Sequence, residues 1–105
     1  MHRWLPKVLK RIHDLAAASK VRLTYKAERE ALTLGFAPED VRDVVTGLSA
    51  EDSAGRLASQ ASGEWMYVWK APLLDADLYV KLILRNDCVV VSFHEDEGGA
   101  DEEAH

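Results

Sequence analysis

The sequence has little cysteine, since Cys88 is the only one among its 105 residues. An intramolecular disulfide is therefore excluded, and such scarcity is typical of proteins in reducing compartments. No apolar run approaches the roughly 18 residues that a membrane-spanning helix needs. The first residues alternate charged with apolar side chains, unlike the continuous apolar stretch of a signal peptide. We therefore expect a cytoplasmic protein that does not enter a membrane.

The familiar motifs of phosphate, metal and nucleophile chemistry are also missing. The sequence has no glycine-rich phosphate loop, no serine nucleophile elbow and no paired-cysteine site. Its four histidines, His2, His13, His94 and His105, are scattered and do not follow metal-ligand spacing. We therefore expect neither a metal nor a cofactor.

Basic residues are outnumbered, with 13 lysines and arginines against 18 acids and a formal net charge of −5. However, six of the acids lie in residues 95–103, so residues 1–94 carry 13 bases and 12 acids. Residues 1–29 contain eight bases against only Asp14 and Glu28. The acidic pI therefore does not exclude a nucleic-acid partner. A solvated basic helix face explains the N-terminal bases equally well.

Three amphipathic helices are predicted in the N-terminal half, where apolar residues recur at helical spacing. Thr24 is a capping residue, Gly35 a typical C-terminal stop and Pro38 a typical first-turn residue. The predicted helices cover residues 5–18, 24–34 and 38–48. Between the first two, residues 21–24 suit a short edge strand.

The periodicity changes in the C-terminal half. After an irregular stretch at 53–63, residues 64–70 are aromatic and β-branched and end at Pro72. Residues 77–85 alternate, and residues 88–94 are strand-like in composition. Helices followed by antiparallel strands indicate a single α+β domain, with N-terminal helices packed on one face of a C-terminal antiparallel sheet. That domain covers residues 1–94.

Asn86 and Asp87 suit a two-residue hairpin turn, because both side chains tolerate positive φ. With that turn, Arg85 faces Cys88 and the strands alternate between two faces. One face then carries six apolar residues, Leu82, Leu84, Val80, Val89, Val91 and Phe93. The other carries the pairs Ile83–Val90, Lys81–Ser92 and Tyr79–His94.

The second face gathers chemically useful groups, since facing residues have Cβ atoms about 4.5–5.5 Å apart. RNA cleavage through the ribose 2′-hydroxyl requires a base, an acid for the departing 5′-oxygen, and a cation or donors for the phosphorane-like charge. Histidine can make either proton transfer near neutral pH. Tyr79, Lys81 and His94 are therefore candidate catalytic residues.

Each candidate also has a structural interpretation. A Tyr–His pair is common on the solvent face of a sheet, and a single lysine or arginine is more often an ordinary surface charge. Trp65, Tyr67 and Trp69 share one strand face, which favours core packing over base stacking. Cys88, beside the turn, is expected to be inert rather than a reactive thiol.

Several short motifs follow one another between Tyr25 and Phe93. They are Ala31-Leu with Leu34-Gly35, Asp43-Val-Val-Thr-Gly-Leu-Ser49 with Asp52, Trp65, Val68, Trp69 and Pro72, Leu78-Tyr-Val-Lys-Leu82, and Val89-Val-Val-Ser-Phe93. In this combination the chain resembles the MqsR (motility quorum-sensing regulator) family of toxins. The resemblance implies a RelE-like fold, the toxin half of a type II toxin–antitoxin pair and ribosome-independent cleavage of mRNA. It also implies a cognate MqsA-type antitoxin, a zinc-binding protein with CxxC motifs.

The family's catalytic set looks like a loop Lys, a strand Gln, the Tyr of Tyr-x-Lys and a Lys after Val-Ser-Phe. Of these, only Tyr79 carries over unchanged. His94 stands at the last Lys position and keeps a potential cation. Met66 stands at the Gln position, and Gly55, followed by Arg56, stands nearest the loop Lys position.

Three hypotheses follow. The first is a metal-independent endoribonuclease (an mRNA interferase) in which His94 is general acid or base and Tyr79 positions the 2′-hydroxyl or shares the proton transfer. Lys81 and Arg56 would then hold phosphate. The second is a catalytically degenerate module that binds antitoxin or nucleic acid, and the third is a structural partner that uses the open sheet face as an interface. Growth arrest without antitoxin separates the first from the second.

Residues 95–105 are acidic, contain two glycines and are expected to form a disordered tail. The tail begins directly after His94. It could therefore lie over the phosphate site and compete with RNA at low salt.

Overall fold

The computed structural model describes residues 2–73 and 76–96. The elements in that part of the chain are α1 (Leu5–Ala17), β1 (Val21–Leu23), α2 (Tyr25–Thr33), α3 (Pro38–Thr46), β2 (Ser53–Ala58), β3 (Trp65–Leu73), β4 (Ala76–Leu84) and β5 (Cys88–Glu95), with a single 3-10 turn (Ala50–Asp52) before β2. Helices come first and most strands follow, which confirms the predicted α+β class. None of the helices in these ranges is both long enough and apolar enough to cross a bilayer.

The helices α2 and α3 begin where the sequence predicts, at residues that satisfy free backbone N–H groups. The Thr24 hydroxyl accepts a hydrogen bond from the Ala27 N–H at 3.1 Å, and the Asp40 carboxylate accepts one from the Ala37 N–H at 2.9 Å. A capping side chain typically stabilises a protein by about 1 kcal/mol. After α2 the chain turns at Gly35, whose φ of 85° is easily adopted only by glycine.

The described strands form one mixed sheet in the order β1-β5-β4-β3-β2. β1 is a parallel edge strand beside β5, and the other neighbouring strands are antiparallel. Buried residues of the three helices join alternate residues of the strands in one apolar cluster. Among its largest fully buried side chains are those of Ile12, Val41, Trp69, Val80, Leu82 and Phe93. We call this helix-covered side of the sheet the inner face, and the opposite side the outer face.

Two predicted strand boundaries are wrong. Residues 53–63 are not all irregular, because Ser53–Ala58 forms β2 and pairs with β3. Its small residues have little preference for a strand, so pairing with β3 is what orders the segment. β3 also continues through Pro72. Pairing with β2 ends at Trp69, so the missing N–H of Pro72 leaves no β2 partner unsatisfied.

The hairpin between β4 and β5 differs from the prediction near its turn. Leu84 pairs with Cys88, so the loop has three residues rather than two. The loop is closed by a hydrogen bond of 2.9 Å from the Arg85 N–H to the Asp87 carbonyl. Close to the turn, the strands are therefore one residue out of the predicted register.

A bulge in β5 then restores the predicted register. Leu82 pairs with Val90, and Val91 is left over as the extra residue. Beyond the bulge the pairs are those predicted, Lys81–Ser92, Val80–Phe93 and Tyr79–His94. The prediction is wrong for three consecutive valines. Val90, predicted on the outer face, is in the core, whereas Val89 lies on the outer face and Val91 is half-exposed.

β5 continues one residue further than predicted. Glu95 pairs with Leu78, and the Asp96 N–H donates to the Asp77 carbonyl at 2.8 Å. The structure thus holds the first two residues of the predicted disordered tail against the sheet. The rest of that tail, residues 97–105, lies outside the described residues.

Candidate functional site on the outer face

The outer face carries a row of three polar side chains across three strands. Lys70 on β3 pairs with Tyr79 on β4, and Tyr79 pairs with His94 on β5. Side chains of facing residues lie on the same side of a sheet. The predicted juxtaposition of Tyr79 and His94 is therefore confirmed, and Lys70 joins it from the neighbouring strand.

The rings of Tyr79 and His94 are stacked. Their centroids lie 4.8 Å apart, and their planes are inclined by only 10°. Tyr79 is buried, with 4% of its surface exposed, whereas His94 is half-buried. The phenol ring therefore packs against one face of the imidazole, and His94 is the more accessible of the two to a molecule approaching the outer face.

A hydrogen bond fixes one nitrogen of His94. Its Nδ1 lies 2.9 Å from the carbonyl oxygen of Glu95. Because a carbonyl oxygen can only accept, this bond requires a proton on Nδ1. In the neutral ring, Nε2 is then the nitrogen with the lone pair, and it can accept a proton from a substrate.

A second row lies beside the first and adds positive charge. It consists of Val68 on β3, Lys81 on β4 and Ser92 on β5. The Lys81 Nζ lies 5.8 Å from the centroid of the Tyr79 ring. From α2, the Lys26 Nζ donates to the Ser92 Oγ at 3.1 Å. Together with Lys26, the two rows thus combine an imidazole, a phenol and a hydroxyl with three ammonium groups, which favours an anionic ligand.

Carboxylates accompany two of these ammonium groups. The Lys26 Nζ lies 3.1 Å from the Glu30 Oε2, and the Lys70 Nζ lies 3.6 Å from the Asp96 Oδ2. The Asp96 side chain is only 10% exposed. The first residue after β5 therefore lies against the polar row and places an acidic group at its end.

Arg56, the fourth predicted site residue, is not part of this group. It pairs with Tyr67, whose side chain packs against the inner-face core. Its guanidinium lies 3.8 Å from the centroid of the Trp65 ring and 4.9 Å from that of the Trp4 ring. The structure brings the other three predicted residues together and places Arg56 on the opposite face. The reason is that Arg56 lies in a strand, where alternation fixes its direction, and not in a flexible loop.

Trp69, Tyr67 and the cysteine have the structural roles that the sequence favours, whereas Trp65 does not pack in the core. Trp69 is fully buried and Tyr67 packs against the core, while Trp65 is 45% exposed beside Arg56. Cys88 is also in the core, and burial raises the pKa of its thiol to about 12. Because the thiolate is the reactive form, this cysteine is inert at neutral pH.

Sequence reasoning missed two lysines of the site. Lys70 lies two residues after Val68 in β3, so alternation along the strand places it on the face of the sheet away from Trp69. Its position could therefore be predicted from the sequence. Lys26 had no such signal, because its contact with Ser92 depends on how α2 packs along β5. Met66, at the family's Gln position, precedes Val68 by two residues and lies on the same strand face.

The residues described, 2–73 and 76–96, contain no group of three His, Cys, Asp or Glu side chains placed to hold a metal ion. The outer-face site instead offers a proton-accepting imidazole beside a phenol and ammonium groups. Such a set can transfer a proton and stabilise negative charge at one place.

Residues 6–95 match the protein family described as motility quorum-sensing regulator, toxin of MqsA. No curated protein matches the chain. The family match runs from the first turn of α1 to the end of β5 and so includes the whole outer-face site. The chain belongs to the MqsR toxin family. It is therefore the toxin of a toxin–antitoxin system, and its partner is an antitoxin.

Proposed function

We propose that this MqsR-family toxin is a ribosome-independent and metal-independent endoribonuclease that cleaves mRNA. The observation that carries the proposal is the stacked Tyr79–His94 pair with the Lys81 ammonium beside it. All three side chains stand on paired strands, which hold a reacting constellation more rigidly than a loop does. Attack by a 2′-hydroxyl requires a base and a cation at one place, and this face supplies both.

In the proposed reaction His94 is the general base. Its Nε2 takes the proton of the ribose 2′-hydroxyl, and the 2′-oxygen attacks the adjacent phosphorus. The bond from phosphorus to the 5′-oxygen breaks, which leaves a 2′,3′-cyclic phosphate and a 5′-hydroxyl. The hydrogen bond to Glu95 keeps Nε2 as the accepting nitrogen. Tyr79 holds the ring by stacking, and its hydroxyl gives a proton to the departing 5′-oxygen.

Two lysines stabilise the charge that develops on the phosphate oxygens. Lys81 lies two residues from Tyr79 on β4, and Lys70 faces Tyr79 from β3. Lys70 reaches the phosphate by exchanging its ion pair with Asp96 for one with RNA. This assignment gives Lys70 the role that the sequence hypothesis gave to Arg56, because Arg56 lies on the inner face.

The proposed partner is an MqsA-type antitoxin. The description of the matched family calls it the toxin of MqsA. We expect the antitoxin to be a zinc-binding protein with paired CxxC motifs, and we expect expression of the toxin without it to arrest growth.

The experiment that tests the reaction is cleavage of single-stranded RNA in EDTA. The purified protein should cleave the RNA, and a single 2′-deoxyribose at the cut site should abolish cleavage there because the nucleophile is missing. The matched control is the same reaction with Mg²⁺, which should proceed at a similar rate. Cleavage that depends on Mg²⁺, or that ignores the deoxy substitution, would overturn the proposal. Binding of RNA without cleavage would favour the degenerate binding module.

A further inference from the structure

Helix α2 presents an aromatic ring to solvent beside the outer-face site. Tyr25, its first residue, is 74% exposed and takes no part in the apolar core. One turn along, the Arg29 guanidinium lies 5.6 Å from the centroid of its ring. Since a large exposed aromatic side chain does not stabilise the fold by burial, its surface remains available for a ligand.

The ring forms one wall of a shallow groove of about 300 Å³. The groove is lined by Tyr25, Lys26, Arg29, Glu30 and Thr33. Glu30 pairs with Lys26 at 3.1 Å. Among the residues that the structure describes, no carboxylate forms an ion pair with Arg29. The groove therefore combines a flat aromatic surface with a guanidinium whose charge is not neutralised locally.

Two hydrogen bonds attach this groove to the strand that carries His94. Lys26 donates from its Nζ to the Ser92 Oγ at 3.1 Å, and the Glu30 Oε1 accepts from the Phe93 N–H at 2.9 Å. Ser92 and His94 lie two residues apart on the same face of β5, a distance of about 7 Å along a strand. These hydrogen bonds fix the groove beside the strand that carries the proposed nuclease site.

We propose that the α2 groove is a subsite for single-stranded RNA next to the cleaved phosphate. A base stacks on Tyr25, and Arg29 and Lys26 bind the neighbouring phosphates. This inference rests on the proposed endoribonuclease function and extends it to the flanking nucleotides. Exposed aromatic rings interleaved with cations are the usual platform for single-stranded nucleic acid, since every base can stack and every phosphate is anionic.

The test is the affinity of the full-length protein for a short single-stranded 2′-O-methyl RNA. This RNA has no free 2′-hydroxyl and therefore cannot be cleaved by the proposed reaction. Tyr25→Ala should raise the Kd roughly 5- to 150-fold, which is the loss of one stacked base. Tyr25→Phe keeps the ring and should bind as the wild type does. Leu32→Ala is the matched control, since Leu32 is 58% exposed on the same helix and outside the groove. Alanine favours helix, so the variants should fold.

The outcomes separate the subsite from the proposed function. Wild-type protein that cleaves RNA, together with unchanged affinity in Tyr25→Ala, would overturn the subsite and leave the nuclease proposal standing. Wild-type protein that neither binds nor cleaves RNA would overturn both. Unchanged RNA affinity together with failure of the antitoxin to neutralise Tyr25→Ala would assign the groove to the protein partner instead. An equal loss in Tyr25→Phe would show that the hydroxyl, and not stacking, matters.

Discussion

The inner and outer faces of the sheet are built from the same strands, but the inner face forms the apolar core and the outer face carries the candidate site. Phe93 and His94, adjacent in β5, show the contrast. Phe93 is fully buried and packs edge-on against Phe36 with 5.2 Å between ring centroids, whereas His94 stacks on Tyr79 on the other side of the sheet. One step along a strand reverses the face. Alternate residues of one strand therefore serve stability and the candidate site.

The bulge at Val91 places Phe93 on the inner face and His94 on the outer face. Cys88 and Val90 lie in the core. Strict alternation from them would place His94 in the core as well and turn Phe93 outward. One extra residue reverses this, so that Phe93 points inward and His94 outward. The contrast between the faces thus depends on a backbone irregularity as well as on the order of side chains.

The largest effect on the inner face is expected from Phe93→Ala. Removing this ring leaves a cavity in a closely packed core and should lower the free energy of unfolding by about 3–5 kcal/mol. Chemical denaturation of the variant and the wild type measures the difference. Ala substitution at Val91, which is half-exposed in the bulge, is the matched control and should cost much less. A loss below about 1 kcal/mol in Phe93→Ala would mean that the inner face is not the stabilising one.

The smallest effect on stability is expected from the loss of an ion pair at the rim of the sheet. Arg85 donates to both carboxylate oxygens of Glu64, at 2.9 and 2.7 Å, and holds the pKa of Glu64 at about 2 instead of 4.5. Because the pKa is lower in the folded state, the pair stabilises the fold above pH 4.5 and loses that effect as the pH falls toward 2. Glu64→Gln should therefore melt at a slightly lower temperature than the wild type at neutral pH.

As the pH falls to 2 and below, the melting temperatures of Glu64→Gln and the wild type should converge, since Glu64 in the folded protein is about half protonated near pH 2 and loses its charge below that pH. The pair is partly exposed, so solvent screening keeps its contribution small. A difference that persists unchanged at acid pH would assign the effect to packing rather than to charge.

Local signals explain most of what the sequence predicts correctly. The cap at Thr24, the stop at Gly35 and the alternation of β4 residues between the core and the outer face each involve residues close in the chain, and each is confirmed. The Tyr79–His94 pair was predictable for the same reason, because a hairpin joins its two strands directly.

The wrong predictions involve contacts between distant segments or compensating irregularities. β2 has small residues and is ordered by its pairing with β3, so composition alone did not reveal it, and Arg56 was consequently placed in a loop. The three-residue turn and the bulge at Val91 cancel one another, so the predicted register is wrong near the turn and correct at His94. Lys26 reaches the site through helix packing, which no local pattern records.

The most direct test of the outer face as the reactive one compares His94→Ala with the wild type in metal-free RNA cleavage, with the free energy of unfolding measured on the same samples. Loss of the general base should slow cleavage about 10²- to 10⁴-fold. The free energy of unfolding should change by no more than about 1.5 kcal/mol, because His94 is outside the apolar core and what it loses is mainly its stacking on Tyr79. A folded variant that cleaves RNA at the wild-type rate would contradict the account.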